Sequence, residues 1–275
     1  MIVLVGNKGS FGEECAEYLL QAGYLTSRLL SEQLDISDID LHLTRVVDSN
    51  QGKPLDAVVY IGGETRDSNK MIYNNLDLPL ALAASCARNK CQFVMLGSLS
   101  QFGKLPYRKG YCITPLSPEH APYDDYSKTK QQCALALKSM PWLFGHTICP
   151  ASILNHQRRG GSIYQIRGFM KSTLVGRYFN FFAKISYCER VDIYEAICIA
   201  IDRNYMSGVS IVAKLIEVRD ITKSFVLPTK WLMFLFGYFL HLVLEIAGRN
   251  DLAQKCTLLF TDVEFVNDYS EVSNQ

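Results

Sequence analysis

The sequence predicts an α/β protein, a doubly wound parallel sheet with a smaller C-terminal region. Three observations carry that prediction. Short β-rich apolar runs alternate with helical patterns through the first 150 residues. A glycine-rich turn joins the first run to the first helix. Beyond residue 150 the alternation loosens into "RRGGS", aromatic segments and one long apolar helix. Strands separated by helical crossovers pair in parallel, and helices then cover both faces of the sheet.

The elements follow in order. "IVLV" (2–5) reads as a strand, and the helical pattern after it runs from Phe11 to Ala22 and stops at Gly23. A short second strand lies near "YLTSRLL" (24–30). "AVVYI" (57–61) precedes a long helical stretch from Asn69 to Arg88. "QFVML" (92–96) leads through a loop to a helix opened by "YDDYSKTK" (123–130). "HTIC" (146–149) ends at Pro150, and "SEVSNQ" at the end reads as a frayed tail.

Composition narrows the function. A chain of 275 residues, 48% hydrophobic, can bury a sizeable core in one large domain or a domain with an appendage. A net charge of +1 without a basic block argues against nucleic acid as a partner. The nine cysteines include no C-x-x-C pair, which favours reduced thiols in a cytoplasmic protein over disulfides or a zinc site. The five histidines are dispersed, so no metal is expected. "MIVLV" lacks a basic flank and a cleavage site, unlike a signal peptide. "WLMFLFGYFLHLVLEIA" (231–247) falls short of the ~20 residues that span a bilayer, and it carries His241 and Glu245. It reads as a buried helix, with docking on a membrane surface as the alternative.

"VLVGNKGSFGEECAEYLLQAG" sets Gly6, Gly9 and Gly12 directly between a strand and a helix. The first glycine permits the tight turn. The second lets backbone approach a pyrophosphate, and the third lets helix pack on strand. The helix N-terminus adds unpaired N–H groups and a partial positive charge. Gly6, Gly9, Ser10, Phe11 and Gly12 are therefore candidate cofactor contacts in a Rossmann-like turn. An acid about 20 residues on would select NAD. Here the second strand reads as ending in Thr26, Ser27 and Arg28, groups suited to a 2′-phosphate, so NADP is favoured over NAD.

From these motifs onward the chain resembles the extended short-chain dehydrogenase/reductases, in particular the branch of nucleotide-sugar epimerases, dehydratases and reductases. "LDISD" (34–38) resembles the family's adenine-contacting segment, which implies Asp35 and Ile36 beside the adenine. "DAVVYIGG" (56–63) resembles D-x-V-x-H-x-A-A, so Gly62 and Gly63 would pass the cofactor where the family carries alanines. Asn75 matches an asparagine of the family's long helix, with Asn74 as the alternative alignment. "FVMLGSLSQFG" (93–103) resembles F-V-x-x-S-S-x-x-V-Y-G and implies Ser98 as the catalytic serine, Gly97 replacing the serine before it. Ser100 reads as a loop hydroxyl. "PYDDYSKTK" resembles P-x-x-x-Y-x-x-S-K and implies Tyr126 and Lys130 as the catalytic pair. "ICPASIL" resembles the strand end R-P-x-x-V-Y, with Pro150 beside the nicotinamide and Cys149 in place of arginine.

The chemistry of the pair agrees with that resemblance. Tyr126 and Lys130 lie one helical turn apart on one face. An ordinary phenol, with a pKa of about 10, is a poor base at neutral pH. A neighbouring ammonium favours the phenolate and so assists proton transfer.

The resemblance extends to "YCERVDIYEAI" (187–197), which returns the chain to the cofactor domain through Asp192. Residues 1–160 would then form the NAD(P)-binding domain, joined by 185–215, and 161–275 mainly the substrate-binding region. It further implies that helix 231–247 is buried in the substrate domain. Arg158, Arg159, Arg167 and Lys171 are candidate diphosphate partners. Family members dimerise through two long helices, here 69–88 and 126–139. This implies a homodimer, with Leu78, Leu82, Cys133 and Leu137 as candidate contacts, several of which the sheet could claim instead. The implied activity is hydride exchange at a sugar carbon, C4, of a nucleoside-diphosphate sugar, in surface polysaccharide or deoxysugar biosynthesis. Epimerase and 4-ketoreductase stay open; a 4,6-dehydratase fits less well, because "SLSQFGK" lacks the acid pair of the family's dehydratases. A redox-sensing NADP-binding protein without turnover is the alternative.

Overall fold

The computed structural model describes the chain except residues 7, 66, 106, 108–110, 115–119, 142, 154–183, 204–207, 218–229, 262 and 266–275. It divides into two compact units. The first joins Met1–Gln101, Asp125–Cys149 and Val191–Ser210; the second joins Phe102–Asp124, Pro150–Arg190 and Ile211–Gln275.

The first unit is built on β1 (Ile2–Gly6), β2 (Thr26–Leu30), β3 (Ala57–Tyr60), β4 (Gln92–Leu96) and β6 (Gly145–Pro150). With β9 (Gly208–Val212) they form a six-stranded sheet in the order β2-β1-β3-β4-β6-β9. Every pairing from β2 through β6 is parallel. All five residues of β1 are buried, as befits a strand covered on both faces. Chain order reverses between β1 and β3, and in open α/β sheets such a reversal opens a crevice at the carboxyl ends of the strands.

Helix α1 (Ser10–Gln21) buries Gly12, Cys15 and Leu19, the stripe that faces the sheet, and Gly23 at φ 94° turns the chain out of it. Helix α2 (Ile39–Ser49), which the sequence pattern did not single out, buries only Ile39 and Leu43. Its apolar signal is diluted by polar neighbours, and a tertiary tie from Asp40 to Arg88 at 2.8 Å holds it. The long helix expected over 69–88 is three pieces: α3 (Ser68–Ile72), a π-helical turn (Tyr73–Asp77) and α4 (Leu78–Asn89). Such π turns are often found at functional sites. Helix α5 (Asp125–Ser139) and helix α6 (Arg190–Arg203) complete the cover.

The four residues expected at a dimer contact are claimed elsewhere. Leu78, Leu82 and Cys133 have no exposed surface and Leu137 keeps 7%, all within the core of the first unit. The sheet takes that apolar stripe because burying it there satisfies each chain on its own.

In the second unit, β7 (Ser152–Ile153), β8 (Lys184–Cys188) and β10 (Lys214–Glu217) make one small sheet, and β5 (Tyr111–Ile113) pairs with β11 (Val263–Phe265). Helices α7 (Lys230–Ile246) and α8 (Asn250–Phe260) pack on each other. Gly237 admits the close approach, since a methyl there would sit 2.4 Å from Phe260. The loop after residue 102 joins them: Leu105 N–H donates to Gln254 Oε1 at 2.8 Å, and Tyr107 OH donates to the Phe234 carbonyl at 2.9 Å. Helix α7 is thus buried along one face only, a correction to the reading of 231–247 as a buried helix. No described helix is long and apolar enough to cross a membrane. Arg158, Arg159, Arg167 and Lys171 lie outside the described residues.

Candidate cofactor and catalytic site

The glycine turn packs as tightly as its spacing requires. A methyl on Gly6 would lie 2.7 Å from Ile61 Cγ1, so only glycine lets β1 turn beside the end of β3. Gly9 precedes α1 at φ 156°, ψ 162°, a region that side chains disfavour. A methyl on Gly12 would lie 3.2 Å from a guanidinium nitrogen of Arg28. Ser10 opens α1, and the Phe11 ring packs on Tyr194 of α6 with centroids 5.3 Å apart. Tyr194 was missed by motif reading, because its partner is 183 residues away.

Arg28 is not at the end of the second strand. It sits mid-strand in β2, which continues to Leu30, and its guanidinium faces Glu13 at 3.8 Å. The expected strand end is corrected to Leu30, while the Arg28 guanidinium still stands beside Gly12 of the glycine turn. Beyond the strand's end stands Glu32, paired at 3.0 Å with Lys8 of the glycine turn. Asp35 caps the next turn, accepting from Ser37 N–H at 2.9 Å and Ser37 Oγ at 2.8 Å. Those two bonds, the backbone one first, hold its carboxyl below the usual carboxylate range. Ile36 beside it is 38% exposed.

At the end of β3, Gly62 and Gly63 have separate reasons. A methyl on Gly62 would meet the Tyr60 hydroxyl at 2.6 Å, and that hydroxyl donates to the Asn74 carbonyl. Tyr60 therefore fills the space of the methyl that an alanine would bring. A methyl on Gly63 would lie 3.5 Å from both Asn75 Oδ1 and Lys130 Nζ, ordinary contact distance. The π turn delivers Asn75, fully buried, to the loop after β3. Its Oδ1 accepts from Glu64 N–H at 3.0 Å, and its Nδ2 donates to the Glu64 carbonyl at 2.8 Å and to Thr129 Oγ1 at 3.3 Å. Asn75, and not the Asn74 side chain, makes these bonds to the loop; Asn74 Nδ2 donates to the Lys70 carbonyl.

Lys130 projects from α5 with 2% of its surface exposed. Its ammonium donates to the Leu96 carbonyl at 3.4 Å and lies 5.9 Å from the centroid of the Tyr126 ring. Thr129 Oγ1 donates to the Tyr126 carbonyl at 3.0 Å. Ser98, two residues past β4, accepts at its Oγ from Ser100 N–H at 3.2 Å and Ser100 Oγ at 2.8 Å. Ser100 is thus engaged with Ser98 instead of idling in the loop. Gly97 is required because a methyl there would meet Thr147 Cγ2 at 2.7 Å and Gln101 Oε1 at 2.9 Å. Burial pushes the Cys149 thiol up to about 12, against the opposing pull of the Lys130 charge. A neutral thiol therefore stands where the family carries a cation. Pro150 ends β6 and belongs to the second unit.

Gly6, Gly62 and Ser98 stand at or just past the carboxyl ends of β1, β3 and β4, around the reversal of strand order. Asn75 and Lys130 both approach the place where a Gly63 methyl would sit. Ligands of open α/β sheets bind at such a place. A dinucleotide fits the donor set: a glycine cradle at a helix N-terminus for phosphates, and a buried ammonium beside an amide for the other end. Among the described residues no His, Cys, Asp and Glu cluster could hold a metal ion.

No curated protein matches the chain significantly. Solved structures share its fold. They include the Bordetella bronchiseptica enzyme WbmG in complex with NAD and UDP, 15% identical, with 83% of this chain and 81% of that chain covered, TM-score 0.60. A dTDP-4-dehydrorhamnose reductase from Bacillus anthracis in complex with NADP is 12% identical over 98% of this chain and 86% of that one, TM-score 0.59. A dTDP-glucose 4,6-dehydratase from Streptomyces venezuelae with NAD bound is 14% identical over 97% and 84%, TM-score 0.61. The family model described as "NAD dependent epimerase/dehydratase family" matches residues 2–149. With more than half of its length matched, and the glycine turn and Tyr126–Lys130 helix inside that match, the chain belongs to the NAD-dependent epimerase/dehydratase family.

Proposed function

We propose that the chain is an NAD(P)-dependent oxidoreductase or epimerase of a nucleoside-diphosphate sugar, acting at a sugar carbon, C4. The observation that carries this reading is the buried Lys130, whose ammonium lies 3.4 Å from the Leu96 carbonyl and 5.9 Å from the centroid of the Tyr126 ring. Lysine is rarely buried to this extent without a role for its ammonium. Family membership and the complexes of its structural neighbours support the cofactor class.

Gly6, Gly9, Ser10, Phe11 and Gly12 would hold the pyrophosphate on the N-terminus of α1, Asp35 and Ile36 the adenosine end, and Gly62, Gly63, Asn75 and Lys130 the nicotinamide ribose end. The bound dinucleotide supplies the hydride acceptor or donor. Tyr126 Oη moves the proton of the reacting sugar hydroxyl, with Lys130 one helical turn away on the same helix. Ser98 Oγ, oriented by Ser100, hydrogen-bonds the same sugar oxygen. Leu99 and Ser100 follow Ser98 where dehydratases carry an acid pair, which favours reduction or epimerisation. The work would lie in surface polysaccharide or deoxysugar biosynthesis.

The test is turnover of the purified chain on UDP- and dTDP-linked hexoses and their 4-keto forms, with NAD(H) and NADP(H), read by mass spectrometry. Conversion that is lost in Tyr126→Phe is expected. Cofactor binding without conversion of any member of either series overturns the catalytic reading.

A further inference from the structure

Tyr194 of α6 meets three residues of α1 that lie on one stripe. Its ring packs on Phe11, with centroids 5.3 Å apart and planes tilted by 56°, and on Tyr18 at 5.6 Å and 43°. Its hydroxyl lies 3.4 Å from the Phe11 carbonyl oxygen and 3.3 Å from Glu14 Oε2, two acceptors for its one proton. Positions 11, 14 and 18 follow the three-and-four spacing of one helix face. Tyr194 keeps only 4% of its surface exposed, so this grip is part of the packing of the first unit.

The start of α1 has little else to fix it. The helix buries Gly12, Cys15 and Leu19, and of these only Gly12, which has no side chain to pack, lies in the first turn. The residue before the helix is Gly9, and no side chain caps the helix there. Tyr194 supplies from the outer side the anchorage that the inner stripe and the cap do not.

We propose, on the cofactor reading above, that Tyr194 is a positioning residue for the dinucleotide: by holding Phe11 and Glu14 it fixes the first turn of α1 where the pyrophosphate is received. It acts through Phe11, whose main chain belongs to that turn. A helix N-terminus binds an anion best when its groups are already aimed, since ordering them on binding costs affinity. A second effect is electrostatic. Glu13 and Glu14 favour the helix at its N-terminus but repel any further anion brought there. Glu13 faces Arg28 at 3.8 Å, and Glu14 is met by the Tyr194 hydroxyl.

The test is titration calorimetry of the full chain with NADH, NADPH, ADP-ribose and AMP, with thermal melting alongside. Tyr194→Phe keeps the ring and so the fold. It should weaken whichever of the two dinucleotides the wild type binds by roughly 3–10-fold, the worth of one hydrogen bond. ADP-ribose, which carries the whole pyrophosphate, should lose the same factor, and AMP, with a single phosphate, distinctly less. Tyr194→Ala removes the ring contacts as well and should weaken the pyrophosphate ligands by roughly 10-fold or more. Tyr24→Phe is the control. It breaks the bond from Tyr24 to Asp202, which also holds α6, without touching the first turn of α1, and every affinity should stay unchanged. A residue that merely fills the core would alter melting and spare the difference between ligands. Tyr194→Phe with wild-type affinity, a loss as large for AMP as for ADP-ribose, or an equal loss in Tyr24→Phe would each overturn the proposal alone. A wild type that takes up neither dinucleotide would overturn the cofactor reading and the proposal together.

Discussion

Asn75 holds both backbone groups of Glu64, accepting from its N–H at 3.0 Å and donating to its carbonyl at 2.8 Å. One buried side chain thereby fixes the loop that leaves β3, and the π turn exists in the place that aims it there. Asn75→Ala removes two hydrogen bonds to part-buried backbone groups of Glu64. It should destabilise the protein by about 1–3 kcal/mol. It should also weaken NAD(P)H binding, since Asn75 holds the loop that carries Gly62 and Gly63 toward the proposed cofactor. Thermal unfolding and titration calorimetry check the two effects separately.

Tyr126→Phe removes one hydroxyl and keeps the ring, so folding and cofactor affinity should persist. Turnover should fall by roughly 10²–10⁴-fold, the usual contribution of a positioned proton-transfer group. Lys130→Met should slow turnover and weaken cofactor binding as well. The double variant should be no slower than the worse single one, because both act on one proton transfer. Single-turnover kinetics on the accepted substrate decides it.

Gly62→Ala places a methyl 2.6 Å from the Tyr60 hydroxyl. Overpacking of this kind costs about 1–3 kcal/mol. Replacing Tyr60 with histidine as well restores the pattern D-x-V-x-H-x-A, so the double variant should lose less than the sum of the singles. Urea denaturation of the four proteins measures the coupling.

Cofactor choice should not pass through Arg28, which is turned to Glu13 in mid-strand. Arg28→Ala should change NADH and NADPH affinities alike. Lys8→Ala, removing the exposed cation of the glycine turn, should weaken NADPH more than NADH, because only NADPH offers it a 2′-phosphate. Calorimetry with both cofactors gives the ratio.

Burial lowers the pKa of His146 to about 4 from its ordinary 6.5. The unfolded chain therefore binds a proton at higher pH than the folded one. The stability held above pH 6.5 is lost progressively between 6.5 and about 4, up to ~3 kcal/mol at ~1.4 kcal/mol per unit. Denaturant midpoints should drop across that window, and His146→Leu should flatten the drop. A midpoint unchanged from pH 7 to 4 would contradict it.

The parallel sheet, its strands and the glycine turn were legible in the sequence because their signals are local. Apolar runs such as "IVLV" and "QFVML" mark buried strands, and Gly6, Gly9 and Gly12 mark a turn whose close packing admits little else. The order Ser98, Tyr126, Lys130 was legible as a motif. What each of these residues touches was decided only by the tertiary structure. The end of β2 at Leu30 is set by its register on β1, so Arg28 points to Glu13 and Glu32 meets Lys8 instead. The π turn within 69–88 leaves no pattern, since it arises where Asn75 must reach Glu64 and Thr129. Helix α7 shows the limit most plainly. Apolar on every side, its sequence could not say which face would be buried, because that depended on Gly237, His241 and Glu245 finding partners in α8 and the 103–107 loop.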